Sequence, residues 1–145
     1  MQHMKKLLAV VTLPLLMTAC QSNGNNTVIT EADLQHHNWN LVQIDGNDLK
    51  TQGNLAAANL EIGEKMTTNG NAGCNNFFGQ GELVDNQFRI KQMGMTQKMC
   101  MEDSMEIEKT FSMVLSDWSD MSLTKDTLEL KNENHTLTFK LSDWK

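Results

Sequence analysis

Over much of the chain apolar and polar residues alternate, and a period of two marks a half-buried β-strand. Leu128 and Leu130, then Leu137, Phe139 and Leu141, are strict alternating sets. The same pattern predicts strands over residues 39–45, around Leu60 and Ile62, and over 77–84, 87–91, 121–124, 127–131 and 135–141. Asp45-Gly46, Asn69-Gly70 and Asp85-Asn86 are tight-turn dipeptides that end the first three strands. Gly79 and Gly81 inside the third predict a bulge or sharp bend. Short links at Lys125-Asp126 and Asn132-Glu133-Asn134 make the last third a meander. Its final strand, from Leu137 to Leu141, is a candidate open edge that a partner could extend, against the alternative of pairing within the sheet.

One stretch breaks the alternation. Ile107, Phe111, Val114, Leu115 and Trp118 carry the spacing of one buried helical face, with Asp103 and Glu106 placed as a capping box. Ahead of the first strand, Thr30 predicts an N-cap for a short helical turn through Leu34 to His37. An amphipathic helix must bury its stripe, and the sheet is the surface available. The expected fold is α+β, a curved antiparallel sheet of about six to eight strands wrapped on one main amphipathic helix.

The first twenty residues bear on location. Lys5 and Lys6 precede an apolar run over residues 7–16, and Ala19 stands before Cys20. These are the parts of a secretory signal, and the run is shorter than the about 20 residues that span a bilayer. Leu16-Met17-Thr18-Ala19-Cys20 resembles the lipobox of bacterial lipoproteins, whose cysteine is acylated and becomes the new N-terminus; Met17 stands where Leu or Val is commoner. The expected division is a signal peptide over residues 1–19, a lipidated Cys20 with a flexible tether to residue 29, and one domain over 30–145. Gln21, where lipoproteins kept at the inner membrane commonly have Asp, points to the outer membrane of a Gram-negative host. The lipid anchor makes the membrane the expected partner, with the domain on the periplasmic face.

Charge and cysteine count narrow the chemistry. The chain has a formal charge of −6, and losing the two signal lysines brings it to −8. No basic stripe is present, so nucleic acid is not an expected partner. With Cys20 committed to lipid, Cys74 and Cys100 remain, an even pair in a compartment that permits disulfides. A bridge would close a loop worth about 3 kcal/mol on chain-entropy grounds; two buried free thiols are the alternative. Nearby, Met93, Met95, Met99 and Met101 surround Cys100, and soft sulfur ligands select Cu(I). A periplasmic Cu(I)-binding protein is therefore the alternative function, set against methionine as a flexible core filler. No metal or other cofactor is expected on the first reading. Nucleophilic catalysis needs a nucleophile, a base and an orienting group together. His36, His37 and His135 read instead as solvated surface residues. The carboxylates of Glu102, Asp103, Glu106 and Glu108 are explained by the helix dipole and solubility. No catalytic residues are expected.

Two segments, NGNAGCNNFFGQG over residues 69–81 and MGMTQKMCMEDSM over 93–105, hold the motifs. They resemble the META domain, the heat-shock lipoprotein HslJ family, in which a Gly-Cys-Asn triplet opens a strand and a Thr-x-x-x-Cys segment precedes the main helix. Gly73-Cys74-Asn75 and Thr96-Gln97-Lys98-Met99-Cys100 match, and Gly73, Asn75 and Thr96 are the motif residues with a structural role. Gln97 stands where many members have arginine after the threonine. The resemblance implies a non-enzymatic envelope protein linked to heat shock or other stress, with a stabilising or adaptor role and an envelope or secretion protein as a partner.

Overall fold

A computed structural model of the protein describes residues 27–49 and 58–143. The expected signal peptide, Cys20 and the tether up to residue 26 lie outside the described residues. The elements are α1 (Glu31–Leu34), β1 (His37–Ile44), β2 (Asn47–Asp48), β3 (Asn59–Ile62), a 3-10 turn (Glu64–Met66), β4 (Thr67–Asn71), β5 (Asn76–Val84), β6 (Gln87–Met95), α2 (Glu102–Leu115), β7 (Ser119–Leu123), β8 (Thr127–Lys131) and β9 (Thr136–Leu141).

The local signals mostly act where the side chains allow. Thr30 is the N-cap of α1, and its N–H and hydroxyl both donate to Asp33 Oδ2, at 2.8 and 2.7 Å. The helix does not continue to His37, because His36 takes φ +68° and turns the chain into β1. Asp45-Gly46 and Asp85-Asn86 carry positive φ at both residues, as the tight hairpin turns require. Asn69-Gly70 is not a turn: both residues lie inside β4, paired to Glu61 and Leu60 of β3, and the reversal is made by the 3-10 turn before it. A bulge does form opposite Gly79, but its extra residue is in β6, where Gln92 has φ +54°.

Consecutive strands from β3 onward pair antiparallel, and β9 pairs with both β8 and β1. The sheet is therefore a closed eight-stranded barrel, with β2 added outside as a short extension of β1. This corrects two expectations. The curved sheet closes on itself, and the strand from Leu137 to Leu141 is not an edge. Closure leaves the eight barrel strands no unpaired side, and eight strands leave an interior that side chains can fill. Trp39, Leu60, Phe77, Phe88, Leu130 and Phe139 fill it and are all nearly or fully buried.

Helix α2 adds Phe111, Val114 and Leu115 to the core. The Phe111 ring lies 5.2 Å from Phe77 and 6.1 Å from Phe139 between centroids, so one helical side chain joins β5 to β9. Two helix expectations are corrected. The N-cap is Met101, without a side-chain cap, and Asp103 falls in the first turn. The helix ends at Leu115, and Trp118 lies beyond it beside Arg89, whose guanidinium carbon is 4.5 Å from the indole centre. That contact is a cation–π pair.

The seam between β1 and β9 is held at both ends by the same device. At one end, Asp45 accepts from Thr136 N–H with Oδ1 and meets His135 Nδ1 with Oδ2, both at 2.8 Å. At the other, Asp143 accepts from Asn38 N–H at 2.8 Å and meets His37 Nδ1 at 2.6 Å. His37 and His135 are thus paired rather than simply solvated; His36 is exposed. The His135 hydrogen bond, then Thr136 N–H, holds the Asp45 carboxyl below the usual range. Desolvation pushes Asp143 up, but Asn38 N–H and His37 outweigh it and leave it lowered. A carboxyl with a lowered folded pKa stabilises the protein above its unfolded pKa of about 3.9 and stops doing so as pH falls through the folded value. The seam should therefore weaken only below about pH 4. Asp45→Ala should cost about 1–2 kcal/mol at neutral pH, chiefly the lost N–H acceptor, since exposed ion pairs add little. Urea titrations at neutral and acid pH measure both; an Asp45→Ala protein as stable as the parent would contradict the assignment.

Candidate functional site: a clasp between the β5 opening and the helix

The two motif segments meet in space. The Cα atoms of Cys74 and Cys100 are 5.9 Å apart and their sulfurs are joined, a separation ordinary for a bridge. This ties the opening of β5 to a residue two places before α2 and bypasses the long route through β5 and β6.

Asn75 is the centre of the arrangement and is 3 % exposed. Its Oδ1 accepts from Thr96 Oγ1 at 2.9 Å and from Lys98 N–H at 2.6 Å. Its Nδ2 donates to Lys98 O at 3.1 Å and to Glu108 Oε2 at 2.9 Å. Its backbone N–H donates to Glu108 Oε1 at 2.5 Å. A buried amide can use both ends only where donors and acceptors are placed around it, and here every one is met. Thr96 Oγ1 also accepts from Asn76 N–H at 3.1 Å, which explains a hydroxyl at that position.

Gly73 makes the approach possible. A Cβ there would lie 2.8 Å from Ser104 O and 3.0 Å from Glu108 N, and the backbone has φ +130°, which L side chains rarely adopt. Asn71 Oδ1 accepts from Gly73 N–H at 2.8 Å and holds the turn.

Glu108 is the residue the sequence pattern placed wrongly. It is 8 % exposed, and its carboxylate faces Asn75 rather than water. The signal was its phase: Glu108 lies three residues before Phe111 and seven before Leu115, on the buried stripe. Lys98 contributes through its backbone N–H and carbonyl, so the clasp does not need the arginine that many members carry at Gln97.

The methionines do not share this order. Met93 and Met95 pack partly buried against the core, while Met99 and Met101 are 88 % and 76 % exposed. With its sulfur joined to Cys74, Cys100 offers no thiolate to a soft metal. Among the described residues no three His, Cys, Asp or Glu side chains group as a metal site, and no helix is long and apolar enough to cross a membrane.

The family model of the META domain matches residues 32–144, which include the whole clasp and the barrel. This chain belongs to the META-domain family. A relative, "Heat shock protein HslJ" of Escherichia coli (strain K12), is 36% identical over 141 residues, 97% of this chain and 98% of its own. A solved NMR structure is similar with a TM-score of 0.69 and 33% identity, covering 79% of this chain and 97% of its own. An NMR structure of a Burkholderia xenovorans protein has a TM-score of 0.62 at 20% identity, covering 98% and 99%, a likeness of fold. The META domain here is an α+β barrel whose named motif residues converge on one structural joint.

Proposed function

We propose that the protein is a lipid-anchored periplasmic META-domain lipoprotein of the outer membrane, non-enzymatic, serving the envelope under heat or related stress in a stabilising or adaptor role. The observation that carries the reading is the near full-length similarity to a heat-shock protein, on a fold whose motif residues are used up in holding the helix to the barrel. Asn75, Thr96 and Glu108 satisfy one another, which leaves that joint no open valence for a substrate. The first described residue is Thr27, whose carbonyl accepts from Asn86 Nδ2 at 3.1 Å. An acylated Cys20 would then tether the β5–β6 end of the barrel through seven residues, within about 25 Å of the lipid.

Mass spectrometry of the mature N-terminus should find an acylated Cys20, and the protein should fractionate with outer membranes. An unmodified N-terminus at Gln21 or later would remove the anchor from this reading. Crosslinked envelopes should yield a partner with the anchored protein that a Cys20→Ser form recovers less well. Turnover of a small substrate, abolished by one point substitution, would refute the non-enzymatic role.

A further inference from the structure

The chain joins the barrel at the turn between β5 and β6, and one side chain fixes it there. Asn86 Nδ2 donates to Thr27 O at 3.1 Å, and Asn86 Oδ1 accepts from Ile29 N–H at 2.8 Å. The Asn86 carbonyl accepts from Met121 N–H at 2.7 Å, which ties the same turn to β7. Ile29 itself is buried in the core. Residues 27–29 are thus fixed to the barrel. Between the two bonded residues stands Val28, 74 % exposed, and two residues before Asn86 stands Val84, 53 % exposed.

Exposed apolar residues are ordinary on a protein surface when they are scattered. These two flank the point from which the chain runs toward Cys20. The seven steps from Cys20 to Thr27 span at most about 25 Å, less than the about 30 Å of β5's nine residues. So short a link keeps this end of the barrel at high local concentration beside the lipid. A contact too weak to hold a free domain suffices there. No lysine or arginine lies in residues 27–33 or 82–87, and Glu31 and Asp85 are close to the valines in the chain. The matching surface is therefore zwitterionic lipid met by apolar contact, not an anionic one.

We propose that Val28 and Val84 rest on a zwitterionic lipid surface, with Asn86 as the clamp that orients the barrel. The clasp, at the other end of β5, then faces away from the membrane. The inference rests on the acylated Cys20 proposed above and adds a contact that the anchor alone does not require.

The test uses the full acylated protein, ²H,¹⁵N-labelled, in phosphatidylcholine nanodiscs that carry a gadolinium-chelate lipid. Paramagnetic broadening falls steeply with distance, so it should be severalfold greater at the Ile29, Val84 and Gln87 amides than at Asn75 and Lys98. Val28→Ser with Val84→Ser, both exposed changes, should level the two ends while the protein stays on the discs and keeps its melting temperature. Asn86→Gly suits the positive φ of the turn and removes both side-chain bonds to residues 27–29; it should reduce the difference as well. A protein that leaves the discs, with an unmodified N-terminus, would remove the anchor and this contact with it. Protein that stays on the discs but is broadened evenly, or unevenly still after the double serine change, would overturn the contact alone.

Discussion

Replacing Asn75 with alanine should destabilise the domain by about 3–5 kcal/mol, the largest single loss expected in this protein. The substitution removes the acceptor of Lys98 N–H and Thr96 Oγ1 and the side-chain donor to Glu108 in one step. It leaves the Glu108 carboxylate buried with its backbone donor alone. Breaking one partner of a buried charged group is costly because the group that remains cannot return to water. Asn75→Asp should be worse at neutral pH, since it sets a second carboxylate against Glu108. Urea midpoints for the two variants decide it. An Asn75→Ala protein within about 1 kcal/mol of the parent would mean that the network adds nothing net.

Serine at both Cys74 and Cys100 should cost about 3 kcal/mol, from a loop whose ends are 26 residues apart. For a domain of this length that corresponds to a melting temperature lower by roughly 10 °C. The loss should not add simply to that of Asn75→Ala, because the bridge and the amide hold the same two segments and neighbouring changes couple. Thiol titration of unfolded protein that has never been reduced should find neither cysteine reactive. Two reactive thiols per chain besides Cys20 would show that the pair is not bridged in the isolated protein, and would return Cys100 to the methionine cluster as a candidate soft ligand.

Strands were readable where one face is buried, because Leu128, Leu130, Leu137 and Phe139 announce a period of two whatever lies beside them. Closure was not readable. Alternation says that a strand has an inside, and it does not say which strand stands next to it; the pairing of β9 with β1 spans nearly the whole domain. The Asn69-Gly70 turn failed for a related reason: a dipeptide that permits a turn also permits an extended strand, and pairing with β3 decided between them. The clasp was visible in its cysteines and glycine, which are rare enough to notice. Glu108 was hidden by its type, since a helical glutamate is nearly always solvated, and only its place on the apolar stripe spoke against that. Trp118 continued the stripe in register, but the helix stops at Leu115 and the indole takes Arg89 as its neighbour instead.

The seam between the first and last barrel strands also sets when the fold can be completed. His37 and Asp143, which meet across it, are 106 residues apart in the chain. Bringing such ends together costs about 4 kcal/mol of chain entropy in addition to a fixed term, and it is recovered only when β9 has arrived. Synthesis from the N-terminus therefore produces a chain that cannot seal its barrel until its last strand has emerged. Contacts this distant slow folding in general. The chain's one proline, Pro14, lies ahead of the barrel, so no prolyl isomerisation delays closure once β9 is present. Export of the kind proposed above would gain from that order of events, because a nascent chain without its closing strand remains open enough to be threaded across a membrane.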